Sequence, residues 1–142
     1  MSGATARVLA LDLGGVRIGL ALSDELGITA QPAGILEATG ARADVEAIAK
    51  IVRERGVSRV VVGHPLLLSG QEGDQARKAR EIADKLAASL DVPVELWDER
   101  LTTAQAERAL VSDGVRRARR RAVVDCLAAV LILQSWLDAK GG

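Results

Sequence analysis

The segment Val57 to Gly63, dense in valine and flanked by glycines, constrains this chain most. It fits a strand buried on both faces, as in the interior of a parallel sheet covered by helices. Upstream, Val8 to Leu13 is an apolar run ended by Gly14-Gly15, and Val16 to Leu22 follows it, which predicts two strands joined by a tight turn. Ile28 to Leu36 supplies a third strand, placed near an edge by Pro32 and Gly34. From Ala41 to Arg55, Val45, Ile48, Ile51 and Val52 recur at helical spacing, and Gly56 is a natural stop. Ser69 with Glu72 forms a capping-box pattern for a helix to about Leu90, and Val92 to Trp97 forms the last strand. Thr102 with Gln105 repeats the capping pattern for a helix through about Val111, ended at Gly114, and a final helix runs from about Arg120 to Ala139. The order predicts an α/β layered fold: a five-stranded mixed sheet, an antiparallel meander of three strands followed by parallel strands, flanked by helices. At 142 residues the chain has room for one domain, residues 1–142.

Three carboxylates stand where a purely structural protein seldom places them. Asp12 lies inside the first apolar run, on the same face as Val8 and Ala10. A strand interior disfavours aspartate, so Asp12 is either a ligand or a cap for the Gly14-Gly15 turn. Asp98 and Glu99 follow the strand ending at Trp97, at the carboxyl end where open α/β sheets bind ligands; the alternative is a solvated loop before the Thr102 cap. Asp125 is the sole acidic residue between Ala122 and Leu137, in a helix that is apolar nearly all round and therefore buried. A carboxylate there costs several kcal/mol in lost solvation unless a cation, several hydrogen bonds or a pair with Arg121 compensates it. If Asp12, Glu99 and Asp125 converge, only bound cations let all three stay ionised. Oxygen ligands suit Mg²⁺ and Mn²⁺, and two such ions roughly 3.5–4 Å apart clamp a phosphodiester for in-line displacement.

Other chemistries lack their residues. There is no Gly-x-Ser-x-Gly elbow, P-loop or Cys-x-x-Cys, and the only histidine is His64, which beside Gly63 and Pro65 either orders the loop or touches substrate. Cys126, among Ala, Val and Leu, reads as a small packed hydrophobe. No apolar signal core opens the chain, and the longest apolar run, near 126–133, is too short to span a bilayer, so a cytoplasmic protein without a membrane partner is expected. Formal net charge is zero, but Arg116, Arg117, Arg119, Arg120 and Arg121 form a local basic patch just before Asp125. With no Tyr or Phe to stack bases, affinity for nucleic acid rests on arginine–phosphate contacts, Arg17 and Arg100 included.

The stretches Asp12-Leu13-Gly14, Arg17-Ile18-Gly19-Leu20-Ala21, Ser23-Asp24, VVGHPLLLSG at 61–70, DERLTT at 98–103 and VVDCLAAVLILQSWL at 123–137 resemble, in order, the motifs of the YqgF/RuvX family of Holliday-junction-resolvase-like nucleases. The resemblance covers almost the whole chain. It implies an RNase H-like fold and maps the family's three catalytic carboxylates onto Asp12, Glu99 and Asp125. Gly15 and Val16 depart from the bulkier or basic residues frequent there, and His64 stands where leucine is common; these bear on loop contacts, not on the metal ligands.

The function expected is that of a metal-dependent nuclease acting on structured nucleic acid, with processing of the 5′ end of pre-16S rRNA as its task. The alternative substrate is a four-way DNA junction, which needs a homodimer to cut both strands. Leu66-Leu67-Leu68 either serves such an interface or packs inside. Two rivals of other classes are a non-catalytic nucleic-acid-binding module, against which the carboxylate trio argues, and an actin-like sugar or acetate kinase, whose phosphate loop Asp12 to Gly19 resembles. That kinase fold needs two lobes, and this length holds one.

Overall fold

The computed structural model describes residues 7–24, 26–101 and 117–141, with side chains at all of these except 101, 117–126 and 141. Its elements are β1 (Arg7–Leu13), β2 (Arg17–Ser23), β3 (Ala30–Glu37), α1 (Ala41–Arg55), β4 (Val57–His64), α2 (Asp74–Ser89), β5 (Val94–Asp98), a short 3₁₀ turn (Glu99–Leu101) and a long helix α3 (Arg117–Gly141). One sheet has the order β3-β2-β1-β4-β5. β2 is antiparallel to β1 and to β3, whereas β4 runs parallel to both β1 and β5. The expected mixed sheet is therefore present, and β4 is its interior parallel strand, with Val60, Val61 and Val62 wholly buried.

Alternation along β1 divides the core into two layers. Leu9 and Leu11 pack with Val45, Ile48 and Val52 of α1 and Ala79, Ala83 and Leu86 of α2. Val8 and Ala10 face the other way, onto Ala129, Ile132, Leu133 and Trp136 of α3. The molecule is thus α1 and α2 on one side of the sheet and α3 on the other, each fully buried aliphatic side chain stabilising by about 1.5–3 kcal/mol. The α3 face is secured by polar ties as well: the Gln134 side chain accepts from Ala30 N (3.0 Å) and donates to Ile28 O (3.2 Å), and Trp97 Nε1 donates to Ser135 Oγ (3.1 Å). Arg59 and Lys140 both lie over the Trp136 ring, at 5.6 and 5.9 Å.

The turn chemistry accounts for several boundaries. Helix α1 ends as expected at Gly56, which adopts a left-handed conformation (φ 63°) and returns its N–H to Val52 O. The edge strand β3 carries an irregularity: Leu20 pairs with Gly34 and Ala21 with Pro32, so Ala33 is an extra residue that bends the edge. The Ser69–Glu72 capping box does not form. Helix α2 starts at Asp74 with Gly73 before it and no side-chain cap. Glu72 instead accepts from Arg80 Nε (2.8 Å), with His64 Nε2 2.9 Å away, and Ser69 Oγ takes the N–H of Gln71. Partners across the loop, the Arg80 guanidinium among them, outcompete the local cap. β5 includes Asp98, and α3 begins at Arg117, so Arg117, Arg119, Arg120 and Arg121 are helical and not part of a connecting loop. The helix expected from Thr102 to Val111, and Arg116, lie outside the described residues. Of Leu66-Leu67-Leu68, Leu68 is 93% exposed and Leu67 about half, so this run is not packed inside. Among the described residues no helix is long and apolar enough to cross a membrane.

Candidate active site

Because β1, β4 and β5 are parallel, their carboxyl ends lie side by side, bringing Asp12, His64 and Asp98-Glu99 to one rim of the sheet. Asp12 sits opposite Gly19 of β2 and continues the Val8–Ala10 alternation toward the α3 side. Asp12 and Glu99 line one cavity of about 310 Å³, together with Gly14, Gly15, Pro65 and Gln75. Gly14 stands in a tight turn at its edge: its N–H donates to Arg17 O (2.8 Å), and a Cβ there would lie 2.9 Å from that oxygen. The two sequence-predicted carboxylates from β1 and the β5 exit thus meet at one opening.

Glu99 is only 6% exposed. Its position depends on Gly63, a residue that the strand pattern treats merely as an end of the valine run. A Cβ at Gly63 would come within 2.9 Å of Glu99 Oε2 and 2.6 Å of Ile132 Cδ1. The lone glycine in a β-branched strand was the available signal, since such a residue marks a close approach. Asp98, the neighbouring carboxylate, has a different task. Both of its oxygens engage Arg100, at 3.1 Å from Nε and 2.8 Å from Nη2, and Oδ1 also accepts the Arg100 N–H at 2.9 Å. The Arg100 guanidinium, and then that backbone N–H, hold Asp98 below the usual carboxylate range, and Arg100 is raised in turn.

Arg100 was expected to bind phosphate; it is already bidentate with Asp98, and its Nη1 reaches Leu68 O (3.4 Å), so it ties the 65–73 loop to the end of β5. His64 orders the same loop through Glu72, whose carboxyl is held below its ordinary range first by Arg80 and then by His64. Arg17, half-buried, opens β2 opposite Glu37. Asp125 belongs to α3, but its side chain, like those of Arg117, Arg119, Arg120 and Arg121, lies outside the described residues. Among the described residues no group of three His, Cys, Asp or Glu side chains is assembled for a metal, and Asp12 and Glu99 supply two carboxylates of the expected three.

A model of the family described as "RuvX: Holliday junction resolvase" matches residues 6–139. The chain belongs to the RuvX family. That membership places it among hydrolytic nucleases. Two relatives named "Putative pre-16S rRNA nuclease" are similar over nearly their whole length: that of Pelotomaculum thermopropionicum is 50% identical over 136 residues, covering 95% of this chain and 88% of the relative. That of Myxococcus xanthus is 51% identical over 133 residues, covering 94% and 88%. Among solved structures, Thermus thermophilus RuvC in complex with a Holliday junction substrate superposes with a TM-score of 0.61 at 14% identity, covering 95% of this chain and 96% of that one. The fowlpox virus Holliday junction resolvase does so with a TM-score of 0.55 at 12% identity, covering 94% and 99%. These likenesses identify the RuvX chain's fold as RNase H-like.

Proposed function

We propose that residues 1–142 form one cytoplasmic nuclease domain in which Asp12, Glu99 and Asp125 hold divalent cations, Mg²⁺ or Mn²⁺, and that its task is to process the 5′ end of pre-16S rRNA. The observation that carries this reading is the shared cavity of Asp12 and Glu99 at the carboxyl ends of the parallel strands. The donor set fits such ions, since carboxylate oxygens are hard ligands and Gly63 leaves room for the Glu99 carboxyl beside the sheet. Asp125 stands seven residues before Ile132 on α3, and residues so spaced share a helix face; Ile132 is the side chain that meets Gly63. Two bound cations would activate a water and stabilise the leaving oxygen of an in-line displacement.

The protein's own groups do the rest. Burial of Glu99 fixes its carboxyl and limits water around it, while Asp98 and Arg100 hold the turn that presents it. Arg17 and the arginines at 116–121 supply phosphate contacts that read backbone shape and weaken with salt. The names of the curated relatives favour ribosomal RNA as substrate. The family's own description favours a second reading, cleavage of a four-way DNA junction by a homodimer. Incubation with a pre-16S rRNA leader fragment, a four-way junction and plain single and double strands, with Mg²⁺ or Mn²⁺, separates them. Faster metal-dependent cutting of the leader fragment supports the first reading, faster cutting of the junction supports the second, and binding without cleavage under every metal leaves a nucleic-acid-binding module.

A further inference from the structure

A second cavity, of about 410 Å³, opens on the other side of the Gly14-Gly15 turn, between α1 and α2. It shares Leu13, Gly14, Gly15 and Gln75 with the carboxylate cavity, so the two are neighbours across that turn. Its volume falls in the ~300–1,000 Å³ range of small-ligand sites, and Leu13, Ile18 and Ile82 give it apolar walls. One polar group in it is buried. Asp44 is 7% exposed, and the hydrogen bonds its side chain accepts, from Thr39 N (3.0 Å) and Thr39 Oγ1 (3.5 Å), both go to Oδ1. Oδ2 has no hydrogen-bond partner among the described residues and is not closed off from solvent, so it can accept from a donor that enters the cavity. At the rim stand Lys78 and Lys85, exposed and seven residues apart on α2, with Glu81 between them.

Apolar walls, one open acceptor on an otherwise buried residue and cationic groups at the rim match a nucleotide: a flat base inside, its amino group on the carboxylate, its phosphate on the lysines. We propose that this cavity receives an unstacked base of the nucleic-acid substrate next to the scissile phosphate, and that Asp44 selects bases carrying an amino group on the Watson–Crick edge. Single-stranded bases are read in this way when splayed out of a helix, and a carboxylate is the acceptor suited to the cytosine amino group. Uracil presents a carbonyl at the corresponding place, which the Asp44 carboxylate repels. The inference rests on the nuclease reading for its context, but its test does not need cleavage.

The test is titration of the ¹⁵N-labelled full chain, without metal, with cytidine and uridine 5′-monophosphates, followed through the amides of Gly14, Gly15, Gly40 and Ala41. We expect saturable shifts there, with the cytidine nucleotide binding about tenfold tighter, a difference of about 1.4 kcal/mol. Asp44→Asn, whose amide can donate to a carbonyl, should level or invert that preference. Lys78→Ala with Lys85→Ala, both exposed, should weaken the two nucleotides alike without altering the fold. Absence of saturable shifts, or equal affinity of wild type for both nucleotides, overturns the proposal even if Asp44→Asn fails to fold. A chain that binds in this way yet never cleaves would sink the nuclease reading and leave the base pocket standing.

Discussion

Replacing Gly63 by alanine tests how the fold positions Glu99. The added methyl would start 2.6 Å from Ile132 Cδ1 and 2.9 Å from Glu99 Oε2, while contacts inside 3.4 Å are already tighter than nearly all real ones. Glu99 must therefore retreat by about half an ångström, and Ile132, wholly buried between α3 and the sheet, must move further. Overpacking of this kind costs about 1–3 kcal/mol. If Glu99 is the metal ligand proposed, a shift of that size, where ~1 Å is worth about a hundredfold in rate, should lower cleavage by about ten- to a hundredfold. Urea denaturation and single-turnover cleavage measure the two losses separately. Ile132→Val removes the atom met at 2.6 Å, so Gly63→Ala combined with Ile132→Val should regain most of the stability but not the rate, because the clash with Glu99 persists. Wild-type cleavage by Gly63→Ala, or full rescue of the rate by the double variant, would refute the role assigned to Gly63.

Three further outcomes follow from the same geometry. Arg100→Gln moves the Asp98 titration up toward the ordinary carboxylate range, observable by NMR, and releases the Leu68 carbonyl; the pair is partly exposed and screened by solvent, so thermal stability should fall only slightly while cleavage slows. Asp98 and Glu72 are both depressed in the folded state, so their contributions are present above the unfolded values and vanish as pH falls through the folded ones; stability should start to fall in the usual carboxylate range and go on falling below it, and Glu72→Gln should flatten that part of the stability curve. Changing Arg117, Arg119, Arg120 and Arg121 to alanine should reduce the slope of log affinity against log salt by about 0.7–0.9 for each phosphate that these arginines neutralise, read from binding titrations at several salt concentrations, and an unchanged slope would remove this segment from the interface.

Period-two and period-3.6 patterns carried most of the fold. Val57 to Gly63 identified the interior strand, Ala41 to Arg55 identified α1 to the residue, and the alternation Val8, Ala10, Asp12 placed the carboxylate on the correct face. Features set by partners distant in sequence were not legible. The Ser69–Glu72 pattern is a sound local cap signal, yet Glu72 is claimed by His64 and Arg80, which only the folded loop brings near. Asp98 and Glu99 are adjacent in sequence and look alike there. Their roles separate because β5 continues through Asp98, leaving that side chain to Arg100 and turning Glu99 into the buried rim. Arg100 reads as a free cation for phosphate until its bonds to Asp98 and Leu68 O are seen.

The central claim is that Asp12, Glu99 and Asp125 act as one metal site. Its most direct test is cleavage of the preferred substrate under saturating Mn²⁺ by wild type, Asp12→Asn, Glu99→Gln and Asp125→Asn, with Mn²⁺ binding followed by paramagnetic relaxation in the same samples. The account predicts that each substitution, in a chain that stays folded, removes cutting by several orders of magnitude and weakens Mn²⁺ binding. Cleavage retained by any of the three variants, or Mn²⁺ bound as tightly as by wild type, would contradict it.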